Sequence, residues 1–345
     1  MYCLVSDIHF HNWSAFSKED GGINSRLNII IEEMRKVLNC ALSEGANVYM
    51  AGDLFHVRGS LAPSVVNPVK NLFREYTELG VKIRAIPGNH DLESNESSEM
   101  GSAVEVLAPC GVIVSPDVVY YADDNVLMVP WRSKCEDLLD ELNELALKHP
   151  GADLIIHAPV NGILIGVPDH GIWASQLRAF GFKRVFAGHY HNFKEIENTI
   201  YSIGALTHQT WSDVGMFAGY LTVDDKEVCH YESQSPSFID IDASMTEADL
   251  RAKVPGNYVR LKIGEATEAQ IKDARKELLA LGAEGISIQA IPVTKITART
   301  GTVKSGASVM ESINEWLKVN PPASANNDVT KICESILEEV ESEDV

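Results

Sequence analysis

Five short runs of the sequence combine carboxylate, amide and imidazole side chains, which are the groups that bind divalent metal ions in proteins. Each run directly follows a short apolar segment with the composition of a β-strand. The runs are Ser6-Asp7-Ile8-His9, Gly52-Asp53-Leu54-Phe55-His56, Gly88-Asn89-His90-Asp91, Ile156-His157 and Gly188-His189-Tyr190-His191. Six of the 11 histidines fall within them, so chance placement in polar loops does not explain the pattern.

The ligand types predict both the kind of metal and the kind of reaction. Carboxylate, amide oxygen and imidazole together suit borderline ions such as Mn²⁺, Fe²⁺ or Zn²⁺, whereas oxygen ligands alone would favour Mg²⁺. The candidate ligands are too many for one ion with an open position, but they fit two ions that share a carboxylate. Sites of this kind activate a water and hold a phosphoryl group for in-line displacement. The predicted reaction is therefore hydrolysis of a phosphoester.

The elements that would position these runs alternate between strands and amphipathic helices, which is typical of a layered α/β fold. We predict strands at 2–5, 47–51, 81–86, 153–157 and 184–187. Helices are predicted between an N-cap at Asn24 or Ser25 and Gly45, and at 63–79 and 134–149. Shorter strands at 194–197, 199–203, 219–223 and 227–232 would make the sheet antiparallel towards its end. Because the carboxyl ends of strands in an open α/β sheet share one edge, the five runs should converge on one crevice.

Glycine precedes three of the candidate ligands. Gly52, Gly88 and Gly188 stand directly before Asp53, Asn89 and His189. We expect them to let the backbone turn sharply off each strand and bring the next side chain close to an ion.

Length and composition indicate a globular chain. At 345 residues it exceeds one ordinary domain, and its 45% hydrophobic and 23% charged residues are close to the globular average. The net charge of −20 argues against binding of nucleic acid or anionic membrane through the overall field of the protein. No apolar run reaches the roughly 18 residues of a membrane span and no signal peptide is visible, so we expect a cytoplasmic protein without membrane contact.

The charge is unevenly distributed along the chain. Residues 1–241 carry 17 basic and 32 acidic side chains, residues 242–309 carry 10 and 8, and residues 310–345 carry 2 and 9. The middle segment has the pattern of a small α+β unit, with the basic residues Arg251, Lys253, Arg260, Lys262, Lys272, Arg275, Lys276, Lys295, Arg299 and Lys304. These could contact phosphates, or could form a solvated helix face with salt-bridge partners of its own. The last segment predicts two amphipathic helices around a Pro/Ser/Asn linker.

The five runs, in their order along the chain, resemble the motifs of the calcineurin-like dinuclear metallophosphoesterases. They read Asp-x-His, Gly-Asp, Gly-Asn-His-Asp, a lone histidine after a strand, and Gly-His-x-His. The resemblance covers about residues 1–235 and implies a layered sandwich of mixed sheets with flanking helices. It also implies two divalent ions, most often Mn²⁺. The implied ligands are Asp7, His9 and His191 for one ion and Asn89, His157 and His189 for the other, with Asp53 bridging both.

Within that family, Gly52-Asp53-Leu54-Phe55-His56 with the Gly-Asn-His-Asp run looks like the SbcD-type double-strand-break repair nucleases, including the shorter subunits of tailed phages. The paired Asp-Arg-Gly and Gly-Asn-His-Glu signatures of phosphoprotein phosphatases are not in this sequence. The resemblance implies that His90 is the general acid on the leaving oxygen and that His56 contacts the substrate phosphate.

Three further side chains are candidates with open alternatives. Asp91 is expected to orient the ring of His90, although a turn or N-cap role competes with this. His11 could contact DNA from the mouth of the crevice or lie in a solvated loop, and His208 could line the substrate groove.

The resemblance also implies a division of the chain and its partners. Residues 1–241 would form the nuclease domain, residues 242–305 a small α+β cap that binds DNA, and residues 306–345 helices that dock on an ATPase subunit of the SbcC type. The expected function is a Mn²⁺-dependent, homodimeric DNA nuclease subunit with 3′→5′ exonuclease and single-strand endonuclease activity. The alternatives are a phosphodiesterase or phosphatase acting on a nucleotide or other small ester, and a scaffold that binds proteins without catalysis.

Overall fold

The computed structural model describes residues 1–56, 58, 60–94, 97–164, 171–197 and 199–292, and eight positions between 310 and 333. The chain divides into two compact units, Met1–Ile291 and Pro292–Val345. The predicted helices after residue 306 lie outside the described residues apart from those eight positions. Among the described residues, no helix is both long and apolar enough to cross a membrane.

The described strands are short and mostly buried. In chain order they are β1 (Tyr2–Val5), β2 (Glu19–Asp20), β3 (Ile23–Asn24), β4 (Asn47–Ala51), β5 (Ile83–Ile86), β6 (Leu92–Ser94), β7 (Ser97–Ser102), β8 (Ile113–Val114), β9 (Val119–Tyr121), β10 (Val126–Val129), β11 (Asp153–His157), β12 (Arg184–Gly188), β13 (Lys194–Glu197), β14 (Ile200–Ser202), β15 (Gly219–Val223), β16 (Val228–Glu232), β17 (Phe238–Asp242), β18 (Tyr258–Ala266) and β19 (Gly285–Pro292).

The described helices include one, α1, with the predicted capping residues at both ends. They are α1 (Ser25–Glu44), α2 (Pro63–Glu78), α3 (Cys135–Lys148), α4 (Ala174–Ala179), α5 (Glu247–Lys253) and α6 (Glu268–Ala280), with 3-10 turns at Ala103–Cys110 and Trp211–Asp213. Asn24 caps α1, since its Oδ1 accepts the backbone N–H groups of Arg26 and Leu27. Gly45 ends α1 in the left-handed conformation, at φ 62°.

Two six-stranded sheets pack face to face. Their strand orders are β16-β15-β1-β4-β5-β8 and β13-β14-β12-β11-β10-β9. Between them lies a fully buried layer that includes Leu4, Tyr49, Met128 and Phe186. Helices α1 and α2 cover the outer face of the first sheet, and α3 and α4 that of the second. The predicted layered sandwich of mixed sheets and flanking helices is therefore confirmed.

The polar runs come from both sheets and not from one. β1, β4 and β5 run parallel in the first sheet, and β10, β11 and β12 run parallel in the second. Their carboxyl ends lie at the same side of the sandwich, as the bridge between Ser6 and Ala205 shows. Asp7 N–H donates to Gly52 O at 3.1 Å and His9 N–H donates to Asp53 O at 3.0 Å, so the first two runs are joined directly.

A small three-stranded sheet follows the sandwich. Strands β17, β18 and β19 form it in that order, and we call it, with α5 and α6, the cap. It begins at Phe238, inside the region predicted for the preceding domain, because β17 pairs with β18 and not with the sandwich.

Several basic side chains of the cap are already paired. Arg260 and Lys262 both bind Asp240, and Arg251 binds Glu247. Arg275 donates to Ile286 O at 3.1 Å. Lys295, Arg299 and Lys304 lie outside the described residues. Because these ion pairs compensate several of the basic side chains, fewer positive charges of the cap are available to an anionic partner than its composition suggests.

Candidate metal centre

Four of the predicted ligands have an unusual backbone conformation. Asp7, His9 and Asp53 have φ of 50°, 49° and 53°, and His189 has φ of 113°. Residues with a Cβ rarely adopt these values, which cost on the order of 1–3 kcal/mol each and persist only where the surroundings impose them. For Asp7, His9 and Asp53 the hydrogen bonds between the first two runs impose these values, and His189 is held by its backbone N–H, which donates to Asp7 Oδ2.

One group of ligand atoms is formed by Asp7, His9 and His191. The Nε2 atoms of His9 and His191 face each other at 3.3 Å. Asp7 Oδ2 accepts the backbone N–H of His189 at 2.9 Å, whereas its buried Oδ1 has no hydrogen-bond partner among the described residues. An unpaired buried carboxylate oxygen is costly, so this group fits a bound cation.

A second group is formed around the amide oxygen of Asn89. His157 Nε2 lies 3.1 Å and His189 Nδ1 lies 2.9 Å from Asn89 Oδ1. His157 Nδ1 lies 2.7 Å from the carbonyl oxygen of Ala51 and donates to it, which leaves Nε2 with its lone pair towards the crevice. Nitrogen and oxygen donors therefore converge on a second point.

Asp53 lies between the two groups. Its Oδ2 is 3.4 Å from His157 Nε2 and 3.8 Å from His9 Nε2. Its Oδ1 accepts the backbone N–H of His90 at 2.8 Å, which fixes the carboxylate. The seven side chains predicted as ligands are thus brought together, with the Asp53 carboxylate between the two groups.

Burial and mutual charge set the protonation of these side chains. Burial lowers the pKa of His9, and burial with the neighbouring His157 lowers that of His189 to about 3. Burial alone would raise the pKa of Asp53, but His157 and His9 outweigh it and hold it below its usual value. Neutral His9 and His189 beside an ionised Asp53 are in the forms that bind a divalent ion. Asp53 instead raises the pKa of His157 to about 9 against the effect of burial, so His157 would release a proton when an ion binds.

The three glycines act in two different ways. Gly52 has φ of 94°, as expected for a turn off the strand. Gly88 and Gly188 do not have positive φ. A Cβ on Gly88 would overlap Asp53 Oδ1, and one on Gly188 would overlap Ser6 Oγ, so these two positions are small because the site is crowded. Gly52 meets the same limit, since its Cβ would overlap His157 Nδ1.

His56 and His90 form a stacked pair beside the first group. Their ring centroids are 5.4 Å apart at an angle of 14°. His90 Nδ1 donates to the carbonyl oxygen of His56 at 3.0 Å, and His56 Nδ1 is 3.4 Å from His9 Nδ1. Burial and the neighbouring His11 lower the pKa of His56 to about 4. The ring of His11 lies 5.1 Å from that of His56, at the edge of this pair.

Asp91 does not orient the His90 ring, and that prediction is wrong. Its carboxylate is 1% exposed and accepts the backbone N–H groups of Leu54, Phe55 and Gly88 at 2.9–3.2 Å. Burial and the charge of Asp53 raise the pKa of Asp91 to about 7. Asp91 therefore ties the loop after β4 to the loop after β5, which is the turn role that competed with the first interpretation.

We expect Asp91→Ala to lower the free energy of unfolding by at least about 3 kcal/mol, because three buried N–H groups lose their acceptor at about 1 kcal/mol or more each. Urea unfolding in the presence of EDTA measures this without a contribution from metal binding. Glu93→Ala, an exposed position nearby, is the matched control and should change stability by less than about 0.5 kcal/mol. A similar small loss for Asp91→Ala would contradict the assigned role.

His208 is a structural residue and does not line the groove. It is 8% exposed, and both ring nitrogens are bonded within the protein, to Met216 O at 2.9 Å and to Ser237 Oγ at 3.2 Å. It therefore joins the loop after β14 to the segment that enters the cap.

Two contributors to the site were not found from the sequence. Asp213 Oδ1 accepts a hydrogen bond from His191 Nδ1 at 2.9 Å and raises the pKa of that histidine against the effect of burial. Trp131 stacks on the His189 ring at 5.3 Å and 28°. Asp213 lies outside the five runs, and Trp131 follows β10 but carries no metal-binding group, so only the tertiary fold shows that they contact the candidate ligands.

Asp213→Ala should weaken metal binding about 10- to 100-fold, because the carboxylate fixes the tautomer and the ring orientation of His191. Titration with Mn²⁺, followed by calorimetry, gives the affinity directly. Ser212→Ala removes a hydroxyl group from the same turn and should leave the affinity unchanged. An unaltered affinity in Asp213→Ala would exclude His191 from the ligands.

The chain matches a known protein family and is similar to a phage exonuclease subunit. The profile described as calcineurin-like phosphoesterase matches residues 2–193, which contain all seven predicted ligands. Among curated proteins, the chain is 24% identical over 179 residues to exonuclease subunit 1 of Enterobacteria phage T4. The matched region is 50% of this chain and 52% of the phage protein, so the similarity spans about half the length of each.

Proposed function

Because the chain belongs to the calcineurin-like phosphoesterases, we propose that it is the nuclease subunit of a DNA recombination or repair complex and hydrolyses phosphodiesters at a two-metal centre. The observation that carries this proposal is the position of Asp53, whose Oδ2 lies between two groups of ligand atoms. DNA as the substrate is supported by the similarity to a phage exonuclease subunit and by the pair of histidines beside the centre.

We assign Asp7, His9 and His191 to one divalent ion and Asn89, His157 and His189 to the other, with Asp53 shared. Mn²⁺ fits this mixture of nitrogen and oxygen donors. When bound, the two ions supply a nucleophilic water at neutral pH and compensate the charge of the phosphodiester. The carbonyl of Ala51 and the carboxylate of Asp213 hold the tautomers of His157 and His191 that leave Nε2 free to bind.

His90 and His56 are assigned to the substrate and not to the ions. His9, His56 and His90 are also close enough to hold an ion, but this third group contains no carboxylate to balance the charge. His90 Nδ1 is engaged by His56 O, so its Nε2 is the atom that would protonate the leaving sugar oxygen. The His56 ring would hold a phosphoryl oxygen, with His11 at the edge of the same surface.

The partners belong to the same proposal. The cap would contact DNA through exposed basic residues of α6, such as Lys272 and Lys276. The helices predicted after residue 306 would dock on an SbcC-type ATPase. We also propose that the subunit acts as a homodimer and has 3′→5′ exonuclease and single-strand endonuclease activity. Since the chain carries a net charge of −20, DNA binding by this subunit alone should be weak and dependent on metal.

The test compares linear duplex DNA, single-stranded circular DNA and bis(p-nitrophenyl) phosphate, each with Mn²⁺ and with EDTA. We expect release of nucleotides from 3′-labelled duplex ends, cleavage of the circle, and no activity in EDTA. Hydrolysis of the small diester alone would favour a phosphodiesterase of small substrates over a nuclease. Failure to bind Mn²⁺ would favour a scaffold, an interpretation against which the strained backbone of Asp7, His9 and Asp53 already weighs.

A further inference from the structure

A buried arginine lies where three parts of the chain meet beside the metal centre. Arg26, in the first turn of α1, is 4% exposed. Among the described residues its guanidinium donates to the backbone carbonyls of Ala15, His208 and Gln209. The charge of Asp213 acts on it without a hydrogen bond, so no bonded carboxylate balances the buried cation. Burying an arginine in this way is expensive, whereas a leucine or methionine would fill the same space at no such cost. The guanidinium therefore has a task beyond packing.

The first part that Arg26 holds is the loop that backs the metal centre. Arg26 Nη2 donates to Gln209 O at 2.6 Å and to His208 O at 3.4 Å. The side chain of Gln209 in turn donates to the carbonyl oxygen of Asp7 at 2.8 Å. Asp213, four residues further along, holds His191.

The second part is the segment after β1, which contacts His56. The guanidinium lies 5.4 Å from the centroid of the Trp13 ring, and Asn24 Nδ2 donates to Trp13 O at 3.1 Å. The Trp13 ring also contacts the His56 ring, with the ring centroids 4.4 Å apart and the ring planes at 44°. Among the described residues this is the shortest ring contact of His56, so Trp13 limits how that ring can turn.

The third part is the cap. The guanidinium lies 5.2 Å from the ring centroids of both Phe238 and Tyr258, which are paired neighbours on β17 and β18. Phe16, from the same segment as Trp13, stacks on Tyr258 at 5.2 Å and 17°. Cation–π contacts of a desolvated guanidinium are strong and directional, so the cap and Trp13 are fixed to one charged group.

We propose that Arg26 is a positioning residue that acts through Trp13 to hold the His56 ring and makes that hold depend on the seating of the cap. This inference rests on the proposed function, because phosphoester hydrolysis is what gives His56 a part in the reaction. A substrate long enough to touch the cap would then influence His56 through Phe238, Tyr258 and Arg26, whereas a small diester would not.

The first test is a double-mutant cycle with bis(p-nitrophenyl) phosphate as substrate. Arg26→Met should lower kcat about tenfold and leave KM within about twofold. In the His56→Ala background the same substitution should lower kcat less than about twofold, because the residue through which it acts is gone. An equal tenfold loss in both backgrounds would overturn the proposal, since a general structural role predicts additive effects. Trp13→Ala should give the same pattern as Arg26→Met.

The second test does not depend on turnover. Hydrogen exchange followed by mass spectrometry should show faster deuterium uptake by residues 10–17 in Arg26→Met than in the unmodified protein. Arg35→Met, on the exposed side of the same helix where Arg35 pairs with Glu75, is the matched control and should not change that uptake. Arg26→Lys keeps the cation over the rings and should recover most of the protection, which also covers the case in which Arg26→Met folds poorly. Unchanged uptake in both Arg26 variants would overturn the linkage.

The two proposals fail in different ways. If the unmodified protein does not cleave DNA, the proposed nuclease function fails, while the cycle on the small diester still decides the part of Arg26. If the unmodified protein hydrolyses neither substrate, hydrogen exchange decides whether Arg26 fixes the segment that carries Trp13.

Discussion

Asp53→Asn is expected to lower phosphodiester hydrolysis at least about a thousandfold, equivalent to about 4 kcal/mol of transition-state stabilisation. The reason is the position of the carboxylate, whose Oδ2 is 3.4 Å from His157 Nε2 and 3.8 Å from His9 Nε2. Loss of its negative charge removes the ligand shared by both groups, and the amide keeps the volume of the side chain. Steady-state rates with Mn²⁺, together with metal content after dialysis, measure the effect.

The matched control is Asp117→Asn, an exposed carboxylate of the same chain, which should retain full activity and metal content. We expect Asp53→Asn to bind fewer ions than the unmodified protein while its circular dichroism spectrum stays the same. A variant that keeps DNA cleavage and metal content would show that the two groups of ligand atoms do not share Asp53.

His90→Ala is expected to lower cleavage of DNA about a hundredfold with no loss of bound metal. The leaving group in DNA is a sugar alkoxide, which needs a proton, and His90 is the stacked partner of His56 beside the centre. The p-nitrophenolate ion leaves readily without one. The same variant should therefore hydrolyse bis(p-nitrophenyl) phosphate at a rate within about fivefold of the unmodified protein, a contrast that kcat on the two substrates measures.

His149→Ala provides the control for removal of an imidazole, since His149 stacks on Tyr120 at the end of α3, away from the five runs. If His90→Ala reduces both substrates equally and also lowers metal content, His90 is a ligand of the third group and not a proton donor. His56→Ala should instead affect both substrates, because a contact to the phosphoryl oxygen does not depend on the leaving group.

The parts of the molecule that the sequence predicts well are those governed by local periodicity. The N-terminus of α1 at Asn24, its C-terminus at Gly45 and the start of α2 at Pro63 follow from the residue preferences of helix ends. The structure has each of them within two residues of the prediction. The rule about strand ends brings together the runs that belong to one sheet, and the two sets meet because the sheets pack with their carboxyl ends at the same side. The layered sandwich was predicted from the resemblance, whereas the distribution of the runs between its two sheets was not.

The parts that the sequence does not predict depend on contacts between distant segments. Asp91 follows His90 in the chain, yet its carboxylate is turned towards Leu54 and Phe55, and adjacency in sequence was a poor guide to its partner. His208 is a polar residue that could have lined the groove, but both nitrogens of its ring are bonded within the protein, to Met216 and Ser237. Asp240 neutralises two cap cations from a neighbouring strand, a pairing that no local pattern indicates.

The division of the candidate ligands between two sheets has a mechanical consequence. Asp7, Asp53 and Asn89 follow strands of the first sheet, and His157 and His189 follow strands of the second. Ions bound between them would act as reversible cross-links in the way that a disulfide does, closing long loops of the chain such as that between Asp7 and His191. The sandwich could then open only after the ions depart, so occupancy of the centre would set the lifetime of the folded protein as well as its activity.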